Sequence, residues 1–417
     1  MRLKLSILFF FIQFLSFGIP FKNEVFRKSV KTVFIENYGS DSDFPLIELN
    51  SSQRLTLHFD EISKSAKTFE YSFIKCTSEW EADEEVFPHD YMDGLESDLI
   101  TDFNFSENTA VDYIHYSVSF PNNNIEFKLS GNYIVLIKDQ DNKEIILTRK
   151  FYISESKVSV IPTPKTPVEF DYRFTHQIIN FNVNYELIDS DNPIGEFKAV
   201  VIQNGRYDNQ KTDLKPQFVR GKELIFSDEI QNTFEGTNEY RIIDFRDIKL
   251  RGLGVSDIFY KDSIYHVIPN LDQKRAYLKY KNKSDHNGKF FIQTKPRLGD
   301  PNLTSDYAYV HFRLKRKIPL DSSTVFLLGG FTGNETKREN QMVYKDSLEH
   351  YESHILMKQG VYDYAYAYRK IGNRSLKWED TDGSHFQTEN NYTILVYFKG
   401  FNDQTESLIG VKIFTFQ

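Results

Sequence analysis

Apolar and polar residues alternate along most of this chain, and a period of two admits few folds. In Ile179-Asn180-Phe181-Asn182-Val183-Asn184-Tyr185 every odd position is apolar and every even one is Asn. Such a segment gathers its apolar residues on one side only as a strand with one dry face and one wet face. Leu55-Thr56-Leu57-His58-Phe59 and Ile114-His115-Tyr116-Ser117-Val118-Ser119-Phe120 repeat the pattern, and Pro121 with three asparagines stops the second. Tyr133, Val135 and Ile137 alternate, Asp139 to Lys143 turns the chain, and Ile145, Leu147, Arg149, Phe151 and Ile153 return, which describes a hairpin. The 37 Phe and 25 Tyr point the same way, because aromatic side chains suit a pleated, half-buried surface. Helical periodicity is scarce. The fold class expected is all-β, built from tandem immunoglobulin-like β-sandwich domains.

A length of 417 residues accommodates roughly two to four such domains. Arg2 and Lys4 precede the apolar run Leu5 to Ile19, which falls short of the ~20 residues of a membrane span. Small residues at Ser16 and Gly18 complete a signal-peptide pattern, so residues 1–18 are expected to be removed on export. The run Ile161-Pro162-Thr163-Pro164-Lys165-Thr166-Pro167 reads as a stiff linker, and Lys295-Pro296-Arg297-Leu298-Gly299-Asp300-Pro301-Asn302 is the next cluster of breakers. The expected partition is an N-terminal sandwich over 19–160, a middle one over 161–298 and a C-terminal one over 299–417. A transmembrane barrel would need longer alternating runs of ~10 residues. The runs here are shorter, and several are doubly apolar, such as Ile145-Ile146-Leu147.

Signals for chemistry are weak. Net charge is −8 without a basic block, which argues against nucleic acid. Cys76 is the single cysteine, so it makes no intramolecular disulfide, and no Cys-His cluster surrounds it. The ten histidines are scattered. His350 and His354 have helical zinc spacing, but their segment reads as a strand and they read as surface residues. There is no nucleophile elbow and no phosphate loop, and Gly252-Leu253-Gly254 lacks a third glycine. Acid clusters such as Asp83-Glu84-Glu85 and Glu379-Asp380 read as solvated loops. Asp139-Gln140-Asp141-Asn142 lacks the distal Glu of a calcium loop and reads as turn chemistry. No catalytic residue, cofactor or metal is expected; the protein should act by binding.

The C-terminal block resembles family 48 carbohydrate-binding modules through Thr324 to Thr332, with its Gly330-Phe331 turn, and through Gly360-Val361-Tyr362-Asp363-Tyr364. Such modules stack sugar on exposed tryptophans, and this stretch has none. A resemblance covering nearly the whole mature chain is carried by several stretches in order. They are Ser78-Glu79-Trp80, Tyr91-Met92-Asp93-Gly94, Tyr172-Arg173-Phe174-Thr175-His176-Gln177, Val200 to Asn209, Leu214 to Leu224, Asn238-Glu239-Tyr240-Arg241, Asp244-Phe245-Arg246 and Thr388 to Thr393. Together they resemble the plug proteins of the bacterial type IX secretion system, from whose pattern Tyr207 and Gln217 depart where Trp and Arg are expected.

That resemblance implies a periplasmic, non-enzymatic protein, monomeric on its own and not inserted in the membrane. It would dock on a large outer-membrane β-barrel translocon and seal the periplasmic end of its pore when no cargo is present. Asn204-Gly205 is a tight-turn dipeptide, so Arg206 and Tyr207 are expected near an exposed tip as contact anchors. Phe218 and Arg220 are the second candidates. The alternative expectation is a periplasmic or surface glycan-binding protein.

Overall fold

The computed structural model describes residues 21–38, 44–297, 299–373 and 375–416. The expected signal segment 1–18 lies outside them, as does Leu298 at the expected second boundary. Strands form where the alternation is written. Phe69–Cys76 buries every second side chain and leaves the intervening ones half-buried until its last residues. Gly131–Asp139 and Ile145–Ser154 form the expected hairpin, with Tyr133 opposite Phe151 and Val135 opposite Arg149.

The first domain is a sandwich of two antiparallel sheets. One runs Glu24–Val25, Ile145–Ser154, Gly131–Asp139, Phe69–Cys76, Ser97–Leu99, with Leu46–Glu48 parallel to Ile145–Ser154. The other runs Val30–Tyr38, Arg54–Glu61, Ile114–Phe120, Asp102–Phe105. Leu57, Phe59, Tyr116 and Phe120 face Phe69, Phe73, Val135 and Phe151 between them. Aromatic rings fill much of this core: Phe59 stacks on Tyr116 at 5.1 Å, and Phe120 meets Phe151 at 4.9 Å. Edge-to-face and stacked pairs of this kind add to the gain from burial alone.

The middle domain is not continuous in sequence. One of its sheets runs Ser159–Pro162, Phe181–Asn184, Glu223–Phe226, Phe218–Arg220. The other runs Arg206–Leu214, Phe197–Gln203, Asn390–Phe398, Ser407–Phe416, so half of it comes from the chain's last segment. Phe181, Phe226 and Val201 share its core with Tyr392, Ile394 and Val396. The third domain is inserted between. Its first sheet runs Val255–Lys261, Ile264–Pro269, Tyr307–Lys315, His350–Lys358, Val343–Lys345. Its second is organised on the long strand Gly360–Lys370, which pairs with Arg241–Asp244, Phe290–Ile292 and Ser323–Leu328.

Two expectations are corrected here. The proline-rich run is no free linker, because Ser159–Pro162 pairs with Phe181–Asn184 and Lys165 bridges Ile178. The boundary at 298 falls inside the third domain: Arg241–Asp244 and Phe290–Ile292 lie before it, yet both pair with Gly360–Lys370 after it. Asn390–Phe398 and Ser407–Phe416 likewise leave the expected 299–417 block for the middle sheet. Turn residues mark where a chain bends, and strand pairing decides which body the pieces join.

Candidate docking surface and interdomain joints

The Asn204-Gly205 turn forms as expected between Phe197–Gln203 and Arg206–Leu214. Asn204 has φ 49° and Gly205 φ 65°, the left-handed pair of a two-residue hairpin turn. Gly205 is exposed, and a side chain there would meet nothing. The two anchors placed beside it behave otherwise. Arg206 is 3% exposed. Its guanidinium grips Asp208 through Nε at 3.0 Å and Nη2 at 2.7 Å, and lies 4.8 Å from the centre of the Trp378 ring. Burial opposes that charge, but Asp208 outweighs it and holds the guanidinium above its usual range.

Tyr207 turns towards the first domain. The Lys150 ammonium sits 4.2 Å from the centre of Trp80 and 4.3 Å from that of Tyr207, a cation between two rings. Burial lowers the Lys150 pKa to about 8 and raises that of Tyr207 to about 12. The expected exposed tip is therefore corrected for Arg206 and Tyr207. Arg206 ties the middle domain to the third, and Tyr207 ties it to the first. Sequence reasoning had no way to find Trp80, Lys150 and Trp378 as their partners, since nothing local to the turn announces them.

Around this point the first and middle domains share an apolar joint. Cys76, Trp80, Ile134 and Tyr152 pack against Val200, Ile202, Leu395, Tyr397 and Leu408. These strands are buried on both faces, which explains their continuous apolar runs. Polar staples rim the joint: Lys75 reaches Asp83 at 2.8 Å and Thr405 at 2.7 Å, and Lys198 reaches Glu79 and Glu406 at 2.9 and 2.7 Å.

The first and third domains meet through buried charge. Lys358 and Asp60, both with fully buried side chains, pair at 2.6 Å. Asp60 also accepts from His115 and Tyr307, each at 2.7 Å, while Lys358 donates to the Asn302 carbonyl and lies 4.0 Å from the centre of the Tyr113 ring. Burial works against the Asp60 carboxylate, yet the Lys358 ammonium and the His115 hydrogen bond hold its carboxyl below the usual range. The middle and third domains share Gln177, whose amide donates to the Phe386 and Thr388 carbonyls while its oxygen accepts from Tyr392. Arg241 and Arg275 clasp the buried Asp382 within the third domain. Many residues that carry the family resemblance thus staple the molecule together.

What remains exposed lies elsewhere. Phe218, 63% exposed, and Arg220 sit on the short outer strand Phe218–Arg220, beside the short helix Pro193–Glu196 that presents Ile194. The second expected pair is therefore at the surface. A stronger apolar feature went unmarked: Val168, Phe170 and Ile230 are each more than four-fifths exposed, with Phe174 and Tyr172 beside them. Of these, Val168, Tyr172 and Ile230 line a cleft of about 740 Å³ together with Arg206, Lys211, Phe234 and Trp378. Exposed apolar residues clustered in this way mark an interaction surface. Among the described residues no helix is long and apolar enough to cross a membrane.

Fold and site together define a class: three interlocked β-sandwich bodies that bury their aromatic and charged anchors internally and expose apolar edges on the middle domain. Residues 30–155 match the family described as Type 9 secretion system plug protein 1st domain. The first domain is therefore a first domain of the type IX secretion system plug family. A hypothetical protein from Parabacteroides merdae, known from a crystal structure, superposes with a TM-score of 0.92 at 29% identity, covering 96% of this chain and 100% of that one. The C-terminal domain of the antigen I/II-family protein AspA from Streptococcus pyogenes gives a TM-score of only 0.14 at 8% identity, over 91% of this chain and 98% of that one, and carries no argument. No curated protein matches the chain.

Proposed function

We propose that this protein is a non-enzymatic, periplasmic accessory of type IX secretion that docks on an outer-membrane β-barrel translocon and obstructs the periplasmic end of its pore. The observation that carries this reading is the plug-family first domain set in a body whose three domains are locked to one another. An obstructing body has to resist deformation. Joints built from apolar packing, a buried ion pair and cation–ring contacts give that resistance without insertion into lipid. The protein exists as a monomer between docking events, and its contact with the channel is reversible and of moderate, fairly polar area. The exposed middle-domain features, Phe170 with Val168 and Ile230 and the Phe218–Arg220 edge, supply the contact residues in this reading.

The test is capture of the tagged protein from detergent-solubilised outer membranes, with partners identified by mass spectrometry. Stoichiometric recovery of a very large barrel protein is expected, reduced by Phe170→Asp or by Phe218→Ser with Arg220→Ser. Intact protein that recovers no barrel protein would overturn docking.

A further inference from the structure

Three histidines far apart in sequence form one row on the outer face of the third domain's first sheet. His266 lies on Ile264–Pro269, His311 on Tyr307–Lys315 and His354 on His350–Lys358. His311 and His354 are directly opposed across the antiparallel pair. The ring atoms His311 Nδ1 and His354 Nδ1 face each other at 2.6 Å, and His311 Nε2 meets His266 Nδ1 at 2.9 Å. At the other end His354 Nε2 is 3.4 Å from Glu352 Oε1, itself paired with Lys345 at 3.2 Å. The His354 side chain is half-exposed, so solvent and ions reach the row.

The tautomers follow from these neighbours. The Glu352 carboxylate, 3.4 Å away, favours the proton on His354 Nε2, and in the neutral ring that leaves His354 Nδ1 with a lone pair. His266 Nδ1 can accept from His311 Nε2, which leaves His311 Nδ1 with a lone pair as well. Two lone pairs then point at the same spot. A neutral imidazole held from behind by a carboxylate or another acceptor is the arrangement in which histidine ligates metals.

We propose that His311 and His354 bind a divalent transition-metal ion through their Nδ1 atoms, with His266 and Glu352 orienting the two rings from outside. Imidazole nitrogen selects ions of the zinc, copper and nickel group over magnesium or calcium. Zinc held at its usual ligand distance in tetrahedral geometry needs the two nitrogens roughly 3.3 Å apart, so the rings must separate by roughly 0.7 Å. Small ring rotations on an open sheet face supply that. The described residues contain no three His, Cys, Asp or Glu side chains already converged on one point. The site is accordingly a two-imidazole one, completed by water. The competing arrangement reverses the chain, with His266 donating to His311 and His311 to His354, and puts a proton where the metal would sit.

The experiment is calorimetric titration of the purified, untagged protein with zinc chloride, repeated with nickel chloride. The proposal expects one ion bound per chain, an upward shift of the unfolding temperature on loading, and reversal by EDTA. His354→Ala and His311→Ala should each abolish the heat and the shift. Glu352→Gln should weaken binding by about 10- to 100-fold, as loss of an outer partner does. His89→Ala, an exposed histidine elsewhere, should leave both readouts unchanged. Absence of stoichiometric binding, or binding by the two histidine variants equal to that of the wild type, would overturn the metal site.

Discussion

Replacing Lys358 with Met tests whether buried charge locks the first domain to the third. The Lys358 ammonium is fully buried and has three partners: Asp60 Oδ2 at 2.6 Å, the Asn302 carbonyl at 2.6 Å and the face of Tyr113. Methionine keeps the length of the stem and its packing but removes the charge. Asp60 would retain His115 and Tyr307 as donors, yet its fully buried carboxylate would lack a countercharge. Removing one member of a buried pair costs about 3–5 kcal/mol, most of it the penalty of the stranded partner. The single variant should therefore lose about that much in urea unfolding. Asp60→Asn with Lys358→Met removes both charges and should recover part of the loss, because a neutral amide strands no charge. The two tryptophans make the assay informative, since Trp80 reports the joint between first and middle domains and Trp378 the joint between middle and third. In the wild type both should change fluorescence at one urea concentration. In Lys358→Met the midpoints should fall. A loss below about 1 kcal/mol would refute the reasoning, because it is what a hydrated surface pair contributes.

Arg206→Ala should cost about 1–3 kcal/mol and shift Trp378 emission, since it strands Asp208 and uncovers the indole; Phe218→Ser should change stability by less than about 0.5 kcal/mol. Acid should weaken the fold through His58, whose imidazole is pushed down to about 4 by burial and by the facing His115 ring. The folded state keeps this ring neutral while the unfolded chain takes up a proton near 6.5. Stability is then complete above that pH and falls by about 3 kcal/mol as pH drops towards 4, and His58→Gln should flatten the curve in unfolding measured across that window. Burial also pushes the Cys76 thiol up to about 12, so a thiol reagent such as dithionitrobenzoate should react only after denaturant is added, and rapid labelling of native protein would contradict its place in the joint.

Period-two alternation carried the fold class because it records burial one strand at a time. The Phe181–Asn184 strand and the Gly131 to Ile153 hairpin are local facts, and both stand in the structure. Pairing between distant strands is not local. Nothing near Asn390–Phe398 says that it will lie beside Phe197–Gln203, so the third domain's insertion is invisible in the sequence and its breaker residues do not mark its edge. The site divided for the same reason. Asn204-Gly205 was legible as a turn from its backbone preference. The fates of Arg206 and Tyr207 depended on Trp378, Trp80 and Lys150, which reach them from other domains. Phe218 and Arg220 stand at the surface because an outer strand of four has no neighbour to cover it. His350 and His354 invited a zinc reading on a helix; the strand instead sets His354 against His311, a pairing that sequence spacing does not encode.

The split middle domain has a consequence for how the molecule comes into being. Ser159–Pro162 to Arg206–Leu214 emerge early, yet the sheet that holds Phe197–Gln203 gains its other two members only when Asn390–Phe398 and Ser407–Phe416 arrive. Until then the apolar strip Ala199-Val200-Val201-Ile202 has an unfinished edge where Asn390–Phe398 will pair, and both its faces are incompletely covered. Contacts this distant in sequence form slowly, and chains waiting for them expose surface that aggregates. The third domain, by contrast, finds its strand partners within residues 241–370 and its buried Asp382 clasp soon after, so it can close while the middle one waits. A nascent chain of this protein is therefore a finished first body and a finished third body joined by an open centre. The last thirty or so residues are what convert a string of parts into one solid piece.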